Sequence, residues 1–264
     1  MNWIWRLLNI VQLVGVIGVT VSTGVLGFSI FAITWNRDLQ CRFTRTVWSP
    51  ALLFVGGVRL KVEHEVPIPW DSPHVYVLNH QSAVDIPAAF IAIPTNLRFI
   101  AKAALRYVPM LGTYMAMTGM IFVDRSAKHR ALRSMRKAAE RIREGSNIIA
   151  FPEGTRSRGG GILPFKKGPF MLAIEAGVPV VPCAIEGGQP VLPPGFRIHP
   201  GTIRLKTGTP IPTAELQRSD RDRLIRQARN EVLRLNREIG GVGGVSDTPP
   251  ETQEVGDDLG AYRS

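Results

Sequence analysis

A histidine and an aspartate stand five residues apart in the segment Asn79–Asp85, which reads NHQSAVD and follows the apolar run Val75–Leu78. Polar residues between a strand and a helix face the ligand crevice of an open α/β sheet. There an aspartate can accept a hydrogen bond from one histidine ring nitrogen and stabilise the imidazolium. The other nitrogen can then take a proton from an attacking hydroxyl. His80 and Asp85 can therefore form a general base and the group that orients it.

The spacing of this pair constrains where each residue lies. Five residues do not share one face of a helix, so His80 must lie in a loop, with Asp85 at or just inside the following helix. Two alternatives stay open. Asp85 or Ser82 can act simply as a helix cap, or Ser82 or Ser157 can be the nucleophile of a serine-type lipid hydrolase. The sequence contains no G-x-S-x-G motif, which argues against the hydrolase.

A second polar segment, FPEGTRS at 151–157, follows the apolar residues 147–150. Gly154 permits a tight turn, and Thr155 offers a hydroxyl. Arg156 offers a planar guanidinium that fits phosphate oxygens. The same residues also fit a Glu-Gly turn with a solvated arginine, so this segment alone leaves both interpretations open.

Two further apolar runs end in notable residues. Met120–Val123 predicts a buried strand with Arg125 just beyond it, where Asp124 and Arg125 can also be no more than the polar end of that strand. Residues 178–182 read VPVVP, and their prolines predict an edge or bulged strand with a structural role.

These segments need a sheet to position them. Short β-rich runs recur beyond residue 57, several of them apolar enough to be covered on both faces. Helical patterns at Ser126–Glu144, Phe170–Ala176 and Thr213–Ile239 alternate with some of them. We therefore predict a single α/β domain over 58–239, with a largely parallel or mixed sheet flanked by helices. The runs are Val58–Val62, Val75–Leu78, Arg98–Ile100, Met120–Val123, Asn147–Phe151, Val178–Ile185 and Thr202–Thr207.

The N-terminal region, residues 1–57, indicates a membrane anchor. No charge occurs from Leu7 to Asn36, and tryptophans flank this run at both ends. About 20 apolar residues cross a bilayer core, and the run is about twice as long as the apolar part of a signal peptide. We expect an uncleaved membrane helix over about 7–36 and, from the helical spacing of apolar residues among arginines, an interfacial helix over about 39–56.

Two arrangements of this anchor stay open: a spanning helix with a surface helix, or a hairpin dipping into one leaflet. The apolar stripe of the second helix comprises Leu39, Phe43, Val47 and Trp48. Three arginines follow the first helix and one precedes it, which predicts a catalytic domain on the cytoplasmic face of the membrane.

Charge and cysteine content narrow the functional classes. The 264 residues carry 32 Lys and Arg against 21 Asp and Glu, a net charge of +11 that predicts an anionic partner. Residues 125–143 concentrate this charge. They fit a non-enzymatic binder of anionic lipid or nucleic acid, but a helix face near phospholipid headgroups is favoured over nucleic acid. Two cysteines exclude a disulfide framework and fit a reducing compartment. Residues 240–264 are acidic and poor in apolar residues, which predicts a disordered tail.

Taken together and in order, these segments resemble the motifs of the glycerophospholipid acyltransferase family, most closely its 1-acyl-sn-glycerol-3-phosphate acyltransferases. The resemblance covers residues 58–209. One departure is KAAL at 102–105, which keeps Lys102 of the family's Lys-x-Glu-Leu stretch but lacks the glutamate. The motifs are NHxSxxD at 79–85, FVDR at 122–125, FPEGTRS at 151–157 and VPVVP at 178–182.

The resemblance implies a reaction. A fatty acyl group would move from a thioester of coenzyme A or acyl carrier protein to the free sn-2 hydroxyl of 1-acyl-glycerol-3-phosphate, giving phosphatidic acid. Another lysolipid acceptor is the alternative. The hydroxyl would attack directly, with His80 as base and Asp85 as its orienter, and no metal or cofactor would be needed. Glu153 would contact the acceptor or hold the Arg156 loop. The residues implied to bind the acceptor phosphate are Arg156, Gly154, Thr155, Lys102 and Arg125.

Overall fold

A mixed β-sheet forms the centre of the protein, as predicted. The computed structural model describes residues 3–123, 128–157, 159, 161–195 and 197–244, with backbone only for 128–133. Within these ranges the strands are β1 Val58–His64, β2 Val75–Leu78, β3 Leu97–Lys102, β4 Ile121–Val123, β5 Asn147–Ala150, β6 Val180–Glu186 and β7 Gly201–Thr207. Their order across the sheet is β1-β7-β6-β2-β5-β3-β4. β6 and β7 are antiparallel, and the other neighbours are parallel.

Helices cover both faces of this sheet. Successive residues of β2 point to opposite faces, so Val75 and Val77 join one apolar cluster with residues of the sixth, seventh and ninth helices. Tyr76 and Leu78 join the other apolar cluster, together with residues of the fourth helix. The helices are α1 Trp3–Thr34, α2 Arg37–Phe43, α3 Ser49–Gly56, α4 Asp85–Ala92, α5 Leu111–Met117, α6 Lys128–Arg143, α7 Gly168–Ala176, α8 Gly188–Val191 and α9 Arg221–Glu238.

The N-terminal region is helical almost throughout. A π-helical turn at Thr44–Trp48 joins α2 to α3, giving a helical path over the segment predicted as one interfacial helix. The predicted apolar stripe is not a single face: Phe43 is buried, whereas Leu39 and Val47 are exposed. Between Phe43 and Val47 the wider π turn changes the angle between successive residues, so α-helical spacing does not apply across that step.

Two boundaries differ from the predictions. The helix predicted from Thr213 begins at Arg221, because the Thr213 hydroxyl is buried and donates to the carbonyls of Ala173 and Val178. Residues 240–244, predicted to begin the disordered tail, are ordered: the Ile162 N–H donates to the Gly243 carbonyl. Residues 245–264 lie outside the described ranges.

The VPVVP strand is not at an edge. β6 lies between β2 and β7, and the sequence predicted an edge or bulged strand because proline cannot donate to a ladder. The β6–β7 ladder ends at the pair Cys183–Thr207. Pro182 stands just beyond that pair, so its missing N–H removes no bond of that ladder.

Candidate active site

Two polar loops meet at one edge of the sheet because their strands are parallel neighbours. β2 pairs with β5, with Val77 opposite Ala150. The segment 79–84 leaves the carboxyl end of β2, and 151–157 leaves the carboxyl end of β5. Open α/β sheets bind ligands at the carboxyl ends of their strands, which we call the catalytic edge. The two segments singled out in the sequence meet there.

His80 and Asp85 form the predicted pair. Nδ1 of His80 lies 2.8 Å from Oδ2 of Asp85, with the histidine side chain 15 % exposed and the aspartate fully buried. A carboxylate only accepts hydrogen bonds, so this contact assigns the ring proton to Nδ1 and the lone pair to Nε2. Among the described residues, none hydrogen-bonds to Nε2. The pair therefore presents a proton acceptor at the sheet edge.

Asp85 organises the whole loop that carries His80. It is the first residue of α4, and its Oδ2 also accepts the N–H groups of Gln81 at 2.7 Å and Ser82 at 2.8 Å. These bonds point back into the loop, so the role of a simple cap does not describe Asp85. The Ser82 hydroxyl is buried and donates to the Leu192 carbonyl, which leaves it poorly placed as a nucleophile.

The second loop holds the backbone of His80 from both sides. Oε1 of Glu153 accepts the His80 N–H at 2.7 Å, and the His80 carbonyl accepts the Ser157 N–H at 2.8 Å. The imidazole also stacks on the Phe151 ring, with centroids 3.9 Å apart and planes 15° apart. Backbone and ring of His80 are thus fixed by the FPEGTRS segment.

Glu153 links the two loops rather than facing solvent. It is 2 % exposed, and its Oε2 accepts the Leu163 N–H at 2.9 Å while Oε1 accepts that of His80. Burial raises the pKa of Glu153 to about 7, although the two hydrogen bonds oppose this shift. Of the two roles predicted for Glu153, this geometry favours holding the Arg156 loop over contacting the acceptor.

Arg156 is an exposed cation of the second loop. Gly154 has φ of +74°, which glycine adopts without strain, and its N–H donates to the Phe151 carbonyl to close the turn. Thr155 and Arg156 follow on the surface. Arg156 and Ser157 line a cavity of about 470 Å³. The Ser157 N–H is the group that donates to the His80 carbonyl.

The remaining predicted cations lie along the sheet or outside the described ranges. Lys102 is exposed and ends β3, which pairs with β5 so that Phe99 is opposite Ile149. The register places Lys102 on the catalytic edge, two strand spacings or about 10 Å across from β2. Arg125 lies outside the described residues.

One residue of the site escaped the sequence analysis. Gly188 begins α8, just after β6, and a Cβ built on it would lie 2.3 Å from Oδ1 of Asp85. That oxygen is buried and has no hydrogen-bond partner among the described residues, so it is held by packing against the glycine. The Gly187-Gly188 pair at the end of an apolar strand was the available signal.

Gly188→Ala is expected to lower kcat by about 10–100-fold with little change in KM, because the new methyl group displaces Asp85 and so tilts His80. Steady-state kinetics would measure both constants. Gly168→Ala is the matched control, since a Cβ at that helical position meets no atom within 4 Å. Equal losses in the two variants, or an unchanged kcat in Gly188→Ala, would contradict this role.

Comparisons with known proteins identify the family. The family model described as Acyltransferase matches residues 59–186, which include both loops of the site. An uncharacterised acyltransferase of Schizosaccharomyces pombe is 38 % identical over 191 residues, covering 71 % of this chain and 68 % of that protein. The chain belongs to the acyltransferase family. The present chain is also 30 % identical to the 1-acyl-sn-glycerol-3-phosphate acyltransferase of Saccharomyces cerevisiae. That match covers 88 % of the present chain and 78 % of the Saccharomyces protein.

A solved structure supports the same assignment. The crystal structure of the 1-acyl-sn-glycerophosphate acyltransferase from Thermotoga maritima is similar, with a TM-score of 0.74 and 28 % sequence identity. The match covers 89 % of this chain and 95 % of that protein. The predicted fold class and the predicted enzyme class are therefore confirmed.

Proposed function

We propose that this acyltransferase moves a fatty acyl group from an acyl thioester to the sn-2 hydroxyl of 1-acyl-glycerol-3-phosphate, giving phosphatidic acid. The observation that carries the proposal is the His80–Asp85 pair, whose imidazole stacks on Phe151 in the loop that also carries the exposed Arg156. The names of the yeast and Thermotoga relatives support this acceptor. The donor would be a thioester of coenzyme A or acyl carrier protein, without a further cofactor.

The proposed reaction needs one proton acceptor and a polarised carbonyl. Nε2 of His80 takes the proton of the acceptor hydroxyl as its oxygen attacks the thioester carbonyl carbon. The buried Asp85 carboxylate stabilises the resulting imidazolium. The tetrahedral intermediate then collapses, its C–S bond breaks, and the imidazolium returns the proton to the leaving thiolate. No acyl-enzyme forms in this sequence.

An acceptor panel tests the proposal. Detergent-purified protein would receive a labelled acyl thioester and, in separate reactions, 1-acyl-glycerol-3-phosphate or lysolipids with other headgroups. We expect the highest kcat/KM with the phosphate monoester, because a guanidinium binds its oxygens in a bidentate way. A preference for another lysolipid would replace the acceptor but keep the reaction, whereas transfer to no acceptor would contradict the proposal.

Arg156→Lys is expected to raise the KM for the acceptor by about tenfold, because lysine keeps the charge but cannot copy the bidentate contact. The KM for the acyl donor serves as the internal control and should stay unchanged. Arg226→Lys, an exposed arginine of α9, controls for the general effect of the exchange. An unchanged acceptor KM in Arg156→Lys would remove the proposed phosphate contact.

We further propose that α1 anchors the enzyme in one leaflet, with the catalytic domain on the cytoplasmic face. Within the described residues, α1 is the one helix long and apolar enough to cross a membrane. However, Asn9 exchanges two hydrogen bonds with Ile198, and the Tyr114 side chain lies close against Gly27. These contacts are 18 residues, or about 27 Å, apart along the helix. A helix held to the domain over that length favours an in-plane anchor.

A further inference from the structure

A second cavity lies between the end of α1 and the start of β3. Its volume is about 800 Å³, and it is lined in part by Phe31, Trp35, Arg37, Asp38 and Arg98. Arg98 is the second residue of β3, whereas Lys102 ends that strand at the catalytic edge. The cavity is therefore near the opposite end of the strands from the catalytic edge, and it is separate from the site of His80.

Two arginines that line this cavity, Arg37 and Arg98, also lie against Gly119. A Cβ built on Gly119 would meet Nε of Arg98 at 2.9 Å and Cδ of Arg37 at 3.7 Å. On the adjoining helix α6, Arg141 donates to the Gly119 carbonyl at 2.8 Å. The pKa of Arg141 is lowered first by burial and then by the charges of Arg37 and Arg98. Arg37 and Arg98 therefore raise the positive potential at Arg141, and an anion bound at Arg37 and Arg98 would offset it.

Two carboxylates interact with this cluster, but neither pairs with Arg37. Oδ1 of Asp38 lies 2.7 Å from Arg98, whose side chain is 9 % exposed, and the charge of Glu144 acts on Arg141. Arg37 is exposed and lines the cavity. The structure gives it no ion pair with a described carboxylate, so Arg37 is the cation most available to a ligand.

The other wall of the cavity is apolar and continues into the exposed surface of α1. The rings of Phe31 and Trp35 lie 5.6 Å apart, and Trp35 is 77 % exposed. Many other large apolar side chains of α1 are exposed, among them Val21, Val25 and Ile33. A ligand for this place combines an anionic group at the arginines with an apolar tail along α1.

We propose that this cavity binds an anionic membrane phospholipid, with its phosphate between Arg37 and Arg98 and its acyl chains against Phe31 and the outer face of α1. A phosphate matches the guanidinium fork, and tryptophan is typical of the headgroup level of a bilayer. The apolar wall favours a lipid over free phosphate. The inference shares with the proposed function only the contact of α1 with lipid, and it does not require acyl transfer.

Equilibrium binding tests this proposal on the detergent-purified full chain. The probe is a labelled short-chain phosphatidylglycerol, and the competitors are phosphatidylcholine of the same chain length and inorganic phosphate. Arg37→Gln should weaken binding about fivefold, the effect of one basic residue near an anionic surface. Asp38→Asn should tighten binding, because it removes the carboxylate that competes for Arg98. Arg226→Gln, on the exposed face of α9, should leave binding unchanged.

Three results would overturn the proposal. Equal weakening in Arg226→Gln would indicate diffuse charge, and weakening in Asp38→Asn would indicate a purely structural ion pair. Displacement by inorganic phosphate as strong as that by unlabelled phosphatidylglycerol would indicate a free-phosphate site. Acyl transfer in the same preparations reports on the proposed function separately, since lipid binding without transfer would contradict only that function.

Discussion

His80→Ala lowers kcat by about 10²–10⁴-fold in this account, because it removes the group that takes the acceptor's proton in the transition state. The loss should fall on kcat more than on either KM, since the imidazole contacts the reacting hydroxyl and not the acyl chain or the phosphate. The measurement is steady-state acyl transfer with both substrates near saturation, on protein whose melting temperature has been determined in detergent.

His64→Ala is the matched control for this variant. His64 ends β1, and its Nδ1 lies 2.9 Å from the Thr207 hydroxyl. β1 is an outer strand of the sheet, three strand positions away from β2 and its catalytic loop. Its removal should leave kcat close to that of the unmodified enzyme. A near-normal kcat in a folded His80→Ala protein would show that another group is the base.

Asp85→Asn is expected to produce a loss of similar size, about 10²–10⁴-fold in kcat. The amide oxygen can still accept the N–H groups of Gln81 and Ser82, so the loop keeps most of its hydrogen bonds. The negative charge that stabilises the imidazolium is lost, and an NH₂ group replaces the oxygen packed against Gly188. The variant therefore separates the electrostatic role of Asp85 from its structural one.

The comparison for Asp85→Asn is Asp222→Asn, which removes an exposed carboxylate from α9. Both variants should bind acceptor with unchanged KM, and only Asp85→Asn should lose kcat. A kcat retained in Asp85→Asn would reduce Asp85 to a loop organiser. A large fall in melting temperature without a fall in kcat of the folded fraction would lead to the same conclusion.

Local patterns predicted much of the sheet but not the place of every strand. The four residues of β2 and of β5 were predicted closely because strands buried on both faces are short apolar runs with polar ends. The prediction for β6 was wrong: prolines lack the N–H that a ladder needs and so suggested an edge strand, but β6 lies inside the sheet. Which strands flank β6 depends on its antiparallel connection to β7 and on where the β6–β7 ladder ends. The five residues 178–182 encode neither.

Some residues of the candidate site could likewise be predicted from local sequence, and others could not. His80 and Asp85 are five residues apart, and the loop between a strand and a helix was sufficient to predict that they meet. The role of Gly188 depends on a backbone approach between segments about a hundred residues apart, and only the folded chain displays it. Glu153 lies between these cases, because its motif was evident but its burial, and so its link to the His80 N–H, was not.

The stoichiometry of acyl transfer tests most directly whether the acceptor hydroxyl attacks the thioester with His80 as its base. Purified enzyme would be incubated with an acyl thioester, with and without 1-acyl-glycerol-3-phosphate, while free thiol and phosphatidic acid are counted. We expect one thiol to be released for each phosphatidic acid formed, release that depends on the acceptor, and loss of both products in His80→Ala. Thiol release without acceptor, a covalently acylated protein, or equal product from His80→Ala would contradict it.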